Sequence, residues 1–321
     1  MPRILLAILL LLPAACAMPA VYESDRAAVA GRSWVVTGAS SGIGRGVAER
    51  VGALGGNVVL AARRGEALEA VARLIRANGG EALVVPTDVG SAEAVEALAE
   101  AAWRRFGRVD VWFNNAGVIP IGRFAEVPLA DHIRTVDVNL GSVIRGSHAA
   151  LRRFRVQGGG TLVNMASVVG RVPVAYYASY AASKHGIIGL DAALREEMRL
   201  AGLDSIRIVT ILPWAVDTPV WGNAAVYTGR QPTMPLMDEA RAVADAIVWA
   251  AVNAPPGEFP VGPKAGAAVL GAQLAPGLVT RLASGLVHRT LQRAPPAPDR
   301  PGNLFQPSPE PSRVEGGYQP P

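Results

Sequence analysis

Tyr180 and Lys184 stand four residues apart, a spacing that puts both side chains on one face of a helix. A phenol and an ammonium facing one cleft can exchange a proton with a bound oxygen. The free phenol titrates near about 10. A neighbouring ammonium favours the phenolate, about 1.4 kcal/mol for each pKa unit, so Lys184 is expected to lower Tyr180. Ser167, thirteen residues before Tyr180, can donate to a carbonyl oxygen and hold it near the phenol. The three groups suit protonation of the alkoxide that hydride transfer to a ketone leaves behind. Tyr176 and Tyr177 compete for the role. Only Tyr180 has a lysine four residues on, since Tyr176 is followed there by Tyr180 and Tyr177 by Ala181.

Such chemistry needs a hydride carrier, and the elements upstream have the form of a dinucleotide site. Strand-like and helix-like stretches alternate along the chain, which predicts a doubly wound, Rossmann-type parallel sheet with helices on both faces in a single α/β domain. Trp34–Val36 reads as the first strand and runs into Thr37-Gly38-Ala39-Ser40-Ser41-Gly42-Ile43-Gly44. Glycines here allow a tight turn, close backbone approach to a pyrophosphate, and close helix–strand packing. Gly38, Ser40, Ser41, Gly42, Ile43 and Gly44 are therefore candidate cofactor contacts. The second strand, Asn57–Ala61, leads into Ala62-Arg63-Arg64. An acidic residue there would bind the ribose 2′-hydroxyl. Two forked guanidiniums suit a 2′-phosphate instead, so Arg63 and Arg64 predict NADP rather than NAD.

Leu83–Val85 reads as the third strand, ending in Thr87-Asp88-Val89. Asp88 is expected to accept from an adenine amino group, to cap the helix beginning near Ser91, or both. Val109–Phe113 reads as the fourth strand, and the turn Asn114-Asn115-Ala116-Gly117 follows it. That places Asn115, Ala116 and Gly117 at a strand's C-terminal end, where open α/β sheets bind ligands. Thr161–Met165 reads as the fifth strand and delivers Ser167.

In combination and in this order, these motifs over residues 32 to about 262 resemble the short-chain dehydrogenase/reductase family. The resemblance implies an NADP(H)-dependent oxidoreductase acting on a carbonyl or secondary alcohol. It assigns Ser167, Tyr180 and Lys184 to catalysis and Lys184 to the nicotinamide ribose as well. Asn139 matches the family's active-site asparagine, holding a water that links Lys184 to a proton relay. On sequence alone Asn139 interrupts a helix. Val89, Pro213 and Thr218 join the cofactor-binding set. One departure is Pro213-Trp214-Ala215, where the family has Pro-Gly: a large ring replaces a glycine beside the nicotinamide. Asp299–Phe305 with Gly316-Gly317-Tyr318 resembles a bacterial subgroup of the same family.

Residues 214–237 hold Trp214, Val220, Trp221, Val226, Tyr227, Met234 and Met237. This stretch is read as a lid, or as a segment packed on the domain or on a neighbouring subunit. Its apolar character favours a lipophilic substrate. A catalytically silent dinucleotide-binding scaffold or redox sensor is the alternative, but it would not require Asn139, Ser167, Tyr180 and Lys184 together.

The ends differ from this domain. Residues 1–20, with Arg3, the apolar run Ile4–Leu12 and Ala15-Cys16-Ala17, read as a signal peptide or membrane anchor, with Met18 as an alternative start. Residues 263–293 form a helical extension, and residues 294–321 an extended or disordered Pro/Gly-rich tail. Residues 264–292 read as a helix packed on the domain, with membrane contact as the alternative there and through 1–20. A cytoplasmic or cytoplasmic-face location follows from the need for NADPH, with an exported form if the leader is cleaved. A homo-oligomer is expected.

Composition narrows the classes. The formal charge of +5 and 18% charged residues suit anionic ligands but are no nucleic-acid signature. The short Arg152, Arg153, Arg155 cluster reads as a solvated helix end. Cys16 is the single cysteine, so no intrachain disulfide forms. The scattered His132, His148, His185 and His288 give no ligand pair with helical spacing, so no metal is expected.

Overall fold

The computed structural model describes residues 18–308 and 312–317. Most of the expected leader, residues 1–17, lies outside the described residues. Seven strands form one sheet: β1 Ser33–Thr37, β2 Asn57–Ala62, β3 Glu81–Pro86, β4 Val111–Asn114, β5 Gly160–Met165, β6 Ile206–Pro213 and β7 Glu258–Val261. Their order is 3-2-1-4-5-6-7, and every neighbouring pair is parallel. This is the doubly wound α/β arrangement. The direction in which successive strands are added reverses between β1 and β4, the switch point at which such sheets bind ligands beyond the strands' carboxyl ends.

The helices of eight residues or more are α1 Gly42–Ala53, α2 Gly65–Ala77, α3 Ala92–Phe106, α4 Leu129–Val136, α5 Ser142–Gln157, α6 Ala178–Leu200, α7 Ala240–Asn253, α8 Gly262–Leu274 and α9 Pro276–Arg293. Central strands covered on both faces must be apolar throughout rather than alternating, and Ser33-Trp34-Val35-Val36-Thr37 is buried at every position. One core cluster joins β1 and β2 to α1, α2 and α7 through Trp34, Val47, Leu60, Val71 and Ile247. A second, on the opposite face, joins Val35, Val59, Leu98, Trp112 and Phe154.

Two of the expectations about the C-terminal part change. The stretch 264–292 is two helices rather than one. Ala275 leaves helical geometry at φ −146°, ψ 64°, and Pro276 begins α9, because a proline disfavours helical backbone in the residue before it. The tail is not extended in solvent over its described part. Leu304 is fully buried and Val314 nearly so. Val226 and Arg300 form an antiparallel bridge, and the Glu315 carboxylate accepts from the Ala240 and Arg241 amides at the start of α7. Two apolar anchors and a helix cap offset the ordering entropy that composition alone suggested would win.

Candidate active site

The turn after β1 is built so that backbone, not side chains, faces the cleft. A β-carbon on Gly44 would sit 2.4 Å from the Asn115 amide nitrogen and 2.5 Å from the Gly38 carbonyl oxygen. Gly38 holds φ +69° and Gly42 φ +58°. Asn115 locks the turn to β4, donating from its side chain to the Thr37 carbonyl at 2.8 Å while its own amide donates to Thr37 Oγ1 at 2.9 Å. Thr218 lies across the turn, 3.3 Å from where a Gly42 β-carbon would be. Side chains of any size would fill this cradle, so its shape fits a pyrophosphate at the N-terminus of α1.

A cavity of about 340 Å³ runs from this turn along the C-terminal edge of the sheet. Its walls carry Gly38, Ser40, Ser41, Ile43, Arg63, Arg64, Asp88, Val89, Asn115, Ala116, Gly117, Ser167, Tyr180, Lys184, Pro213 and Thr218. Sequence-predicted site residues spread over 180 positions thus meet in one cleft. Three do not line it. Gly42 and Gly44 form the turn itself, and the Gly42 amide donates to the Arg313 carbonyl at 2.8 Å. Asn139 is fully buried behind the wall. It sits in a π-helical turn, Asp137–Gly141, between α4 and α5. Its amide oxygen accepts from Val118 N at 2.8 Å, and its nitrogen donates to Val118 O at 3.0 Å and Ser183 Oγ at 3.2 Å. Asn139 therefore ties the segment after β4 to the helix bearing Tyr180, and a π-bulge is a frequent mark of a functional site.

Ser167 caps the short turn Val168–Gly170, its Oγ accepting from Val169 N at 3.2 Å, and it hydrogen-bonds Tyr180, which favours the phenolate. Burial outweighs that bond and pushes the Tyr180 phenol up to about 12. Burial also draws Lys184 down to about 7. Its Nζ donates to the Met165 carbonyl at 2.6 Å and lies 5.6 Å from the Tyr180 ring centre. The expectation that Lys184 lowers the phenol is thus corrected for the chain's own groups. The amine engages a backbone carbonyl, and desolvation disfavours both charged forms. The other tyrosines separate cleanly. Tyr176, at φ +73°, hydrogen-bonds His288 on α9 at 2.7 Å. Tyr177 lines the cavity, but its hydroxyl is buried without a partner, and burial holds it above its ordinary value.

At the end of the cavity lined by Arg63 and Arg64, Asp88 makes a local turn, accepting from Gly90 N at 2.9 Å, and pairs with Arg134 at 3.3 Å. Ser91, not Asp88, caps α3 through a bond from Ala94 N. Sequence reasoning missed the neighbours of the two arginines. Arg63 donates to the carbonyls of Phe305 and Asn303 at 2.9 and 2.7 Å. Arg64 donates to Ser40 Oγ at 3.3 Å and to Ser308 O at 3.4 Å. Asn303, Leu304, Pro307 and Ser308 also form part of the cavity wall. The resemblance at Asp299–Phe305 was the one signal in the sequence that this tail has a defined place.

The opposite end of the cavity is apolar. Val174, Tyr177, Trp214, Val220, Trp221 and Met234 line it with Ala283, Leu286 and Val287 of α9. The stretch 214–237 is packed rather than free. Val216–Asp217 pairs with Asp238–Glu239, and Ala225–Tyr227 with Pro120–Gly122; the Tyr227 hydroxyl donates to Asp131. Trp214 packs in a cluster with Leu212, Ala265 and Val269, so the helical extension α8 houses the ring that replaces the usual glycine.

Comparison with known proteins now bears on this geometry. A family model described as short chain dehydrogenase matches residues 32–226. The chain belongs to the short-chain dehydrogenase family. An uncharacterized oxidoreductase of Bacillus subtilis is 32% identical over 269 residues, 83% of this chain and 75% of that protein. A 3beta-hydroxysteroid dehydrogenase of Eggerthella lenta is 39% identical over 193 residues, 59% of this chain and 72% of that protein. Among solved structures, an alcohol dehydrogenase of the archaeon Thermococcus sibiricus, complexed with 5-hydroxy-NADP, superposes with a TM-score of 0.62 at 27% identity, covering 71% of this chain and 94% of that one. This short-chain dehydrogenase is accordingly an oxidoreductase that transfers hydride with a nicotinamide dinucleotide. Among the described residues no cluster of His, Cys, Asp or Glu is suited to a metal.

Proposed function

We propose that this short-chain dehydrogenase reduces a lipophilic ketone or aldehyde, or oxidises the corresponding alcohol, with NADP(H), using Tyr180 as the acid/base. The observation that carries the reading is the placement of Ser167, Tyr180 and Lys184 between a glycine cradle on one side and an apolar chamber on the other. The cofactor supplies or accepts the hydride. Ser167 orients the carbonyl oxygen, and Tyr180 gives it a proton. A phenol pushed up to about 12 is fully protonated at neutral pH, the form that reduction consumes. Lys184, buried at the end of the same cleft, binds the nicotinamide ribose. Asn139 fixes the helix geometry from behind.

NADP is favoured over NAD because no carboxylate replaces Arg63 and Arg64 after β2. The tail carbonyls that these arginines now meet are neutral acceptors. A 2′-phosphate forms charge-assisted bonds, roughly twice as strong, and each guanidinium carries five donors. A lipophilic substrate is favoured by the tryptophans, valines and methionine of the chamber, and by the similarity to a protein named for a hydroxysteroid. Titration with NADPH and NADH, followed by an NADPH-oxidation screen of lipophilic ketones, tests both parts. Replacing Arg63 and Arg64 together by Ala should remove about 2–4 kcal/mol of the preference for NADPH. Equal affinity of the wild type for both cofactors would overturn the assignment.

A further inference from the structure

The two C-terminal helices carry a row of leucines that the protein itself does not cover. Leu278, Leu282 and Leu286 succeed one another at intervals of four along α9, and Leu270 and Leu274 do so along α8. All five are exposed, Leu274 by 78% and Leu282 by 61%. The adjoining stripe of α9 faces inward, with Val287 and Leu291 buried and Val279 and Ala283 packed against the domain. Leu236, 71% exposed, stands beside this face, its carbonyl accepting from Lys264 of α8 at 2.7 Å. An apolar row of this length is uncommon on a free surface.

The charges that α8 and α9 themselves carry have one sign. Between Glu258 and Asp299 the chain has no acidic residue, while α9 carries Arg281, Arg289 and Arg293. At about 100° per residue, Arg281 stands to one side of the leucine row and Arg289 continues it past Leu286, and both are exposed. Leucines that bury and arginines that reach to a polar boundary are the pattern of a helix lying in a membrane interface. No helix among the described residues is long and apolar enough to cross a membrane, so the pattern is that of a surface contact.

One further observation selects the occupant. Leu286 belongs both to this exposed row and to the wall of the active-site cavity, next to Ala283 and Val287. The cavity's apolar end therefore opens at the leucine face.

We propose that the α8–α9 leucine face docks on an anionic lipid bilayer, so that lipophilic substrate enters the cavity from the membrane past Leu286. The docking stands on the surface alone; the entry route rests also on the substrate class proposed above. Flotation of the full-length protein with phosphatidylcholine vesicles, alone or mixed equally with phosphatidylglycerol, tests it. The protein should float with the mixed vesicles and far less with phosphatidylcholine alone. Leu278→Ser with Leu282→Ser should lower the bound-to-free ratio at least about tenfold. Arg281→Gln and Arg289→Gln should each lower it about fivefold on the mixed vesicles only, an effect screened away in high salt. Far-UV circular dichroism checks that the variants remain folded, and the arginine variants keep the test open if the leucine pair does not. Three results would overturn the proposal. The wild type fails to float; or the variants float as well as the wild type, the binding then belonging to another segment; or sedimentation equilibrium shows a dimer that the leucine pair converts to monomer, a second copy then being what covers the face.

Discussion

Replacing Lys184 by Met should make the protein more stable at pH 6 while abolishing its turnover. Lys184 is 3% exposed, and burial draws its amine from an ordinary 10.5 down to about 7. A gap of about 3.5 pKa units at about 1.4 kcal/mol each sets a ceiling of about 5 kcal/mol on what the charged form costs the fold. The sign follows from the depressed value. Between about pH 7 and 10.5 the unfolded chain binds a proton that the native state does not, so wild-type stability rises with pH across that window. Below about 7 the native state carries the full cost. Methionine removes the charge but leaves the Met165 carbonyl without the bond it receives at 2.6 Å, a loss of about 1–3 kcal/mol. The variant should therefore gain about 2–4 kcal/mol at pH 6 by this arithmetic. By pH 10.5 the gain should vanish or reverse, because the wild-type amine is then largely neutral and still bonded. Urea denaturation at pH 6, 8 and 10, with an unchanged slope, measures it. A variant less stable than wild type at pH 6, or a difference that does not move with pH, would refute the reasoning.

The Tyr180 phenol, raised to about 12, gives the two directions different pH profiles. Oxidation needs the phenolate and should accelerate as pH rises from 7 to 9, whereas reduction should not; steady-state rates with a confirmed alcohol–ketone pair decide, and faster oxidation at pH 6 than at 9 would count against Tyr180. Leu304→Ala should cost about 2–5 kcal/mol, or as much as it takes for the tail to detach, because the side chain is fully buried; thermal melting and limited proteolysis near residue 300 would both register it, and an unchanged protein would show that the tail is not held there.

The sheet was legible because its signals are local. Buried parallel strands such as Trp34–Val36 are continuous apolar runs, and the glycine turn must follow β1 directly for its amides to reach a phosphate. Ser167, Tyr180 and Lys184 were legible through a spacing that a helix converts into a shared face. What escaped was set by long-range packing. The tail's composition resembles a linker, yet Leu304 and Val314 insert into clefts made by residues more than sixty positions away. The choice among Tyr176, Tyr177 and Tyr180 was read from a lysine. The structure adds a second reason in the left-handed backbone of Tyr176, which turns its hydroxyl to His288. The depressed Lys184 could not be read from spacing at all, since it depends on how deeply the amine is buried and on Met165 as its acceptor.

Turnover of Tyr180→Phe beside Tyr176→Phe, with NADPH affinity measured on both, tests the central claim most directly. Removing the Tyr180 hydroxyl leaves the glycine cradle, Arg63, Arg64 and Lys184 in place, so NADPH should bind nearly as before while reduction of a confirmed ketone falls by about 10²–10⁴-fold or more. Tyr176→Phe, which loses a bond to His288 and one to Arg123 outside the catalytic group, should remain active. Near-normal turnover in Tyr180→Phe, with activity lost in Tyr176→Phe instead, would contradict the account.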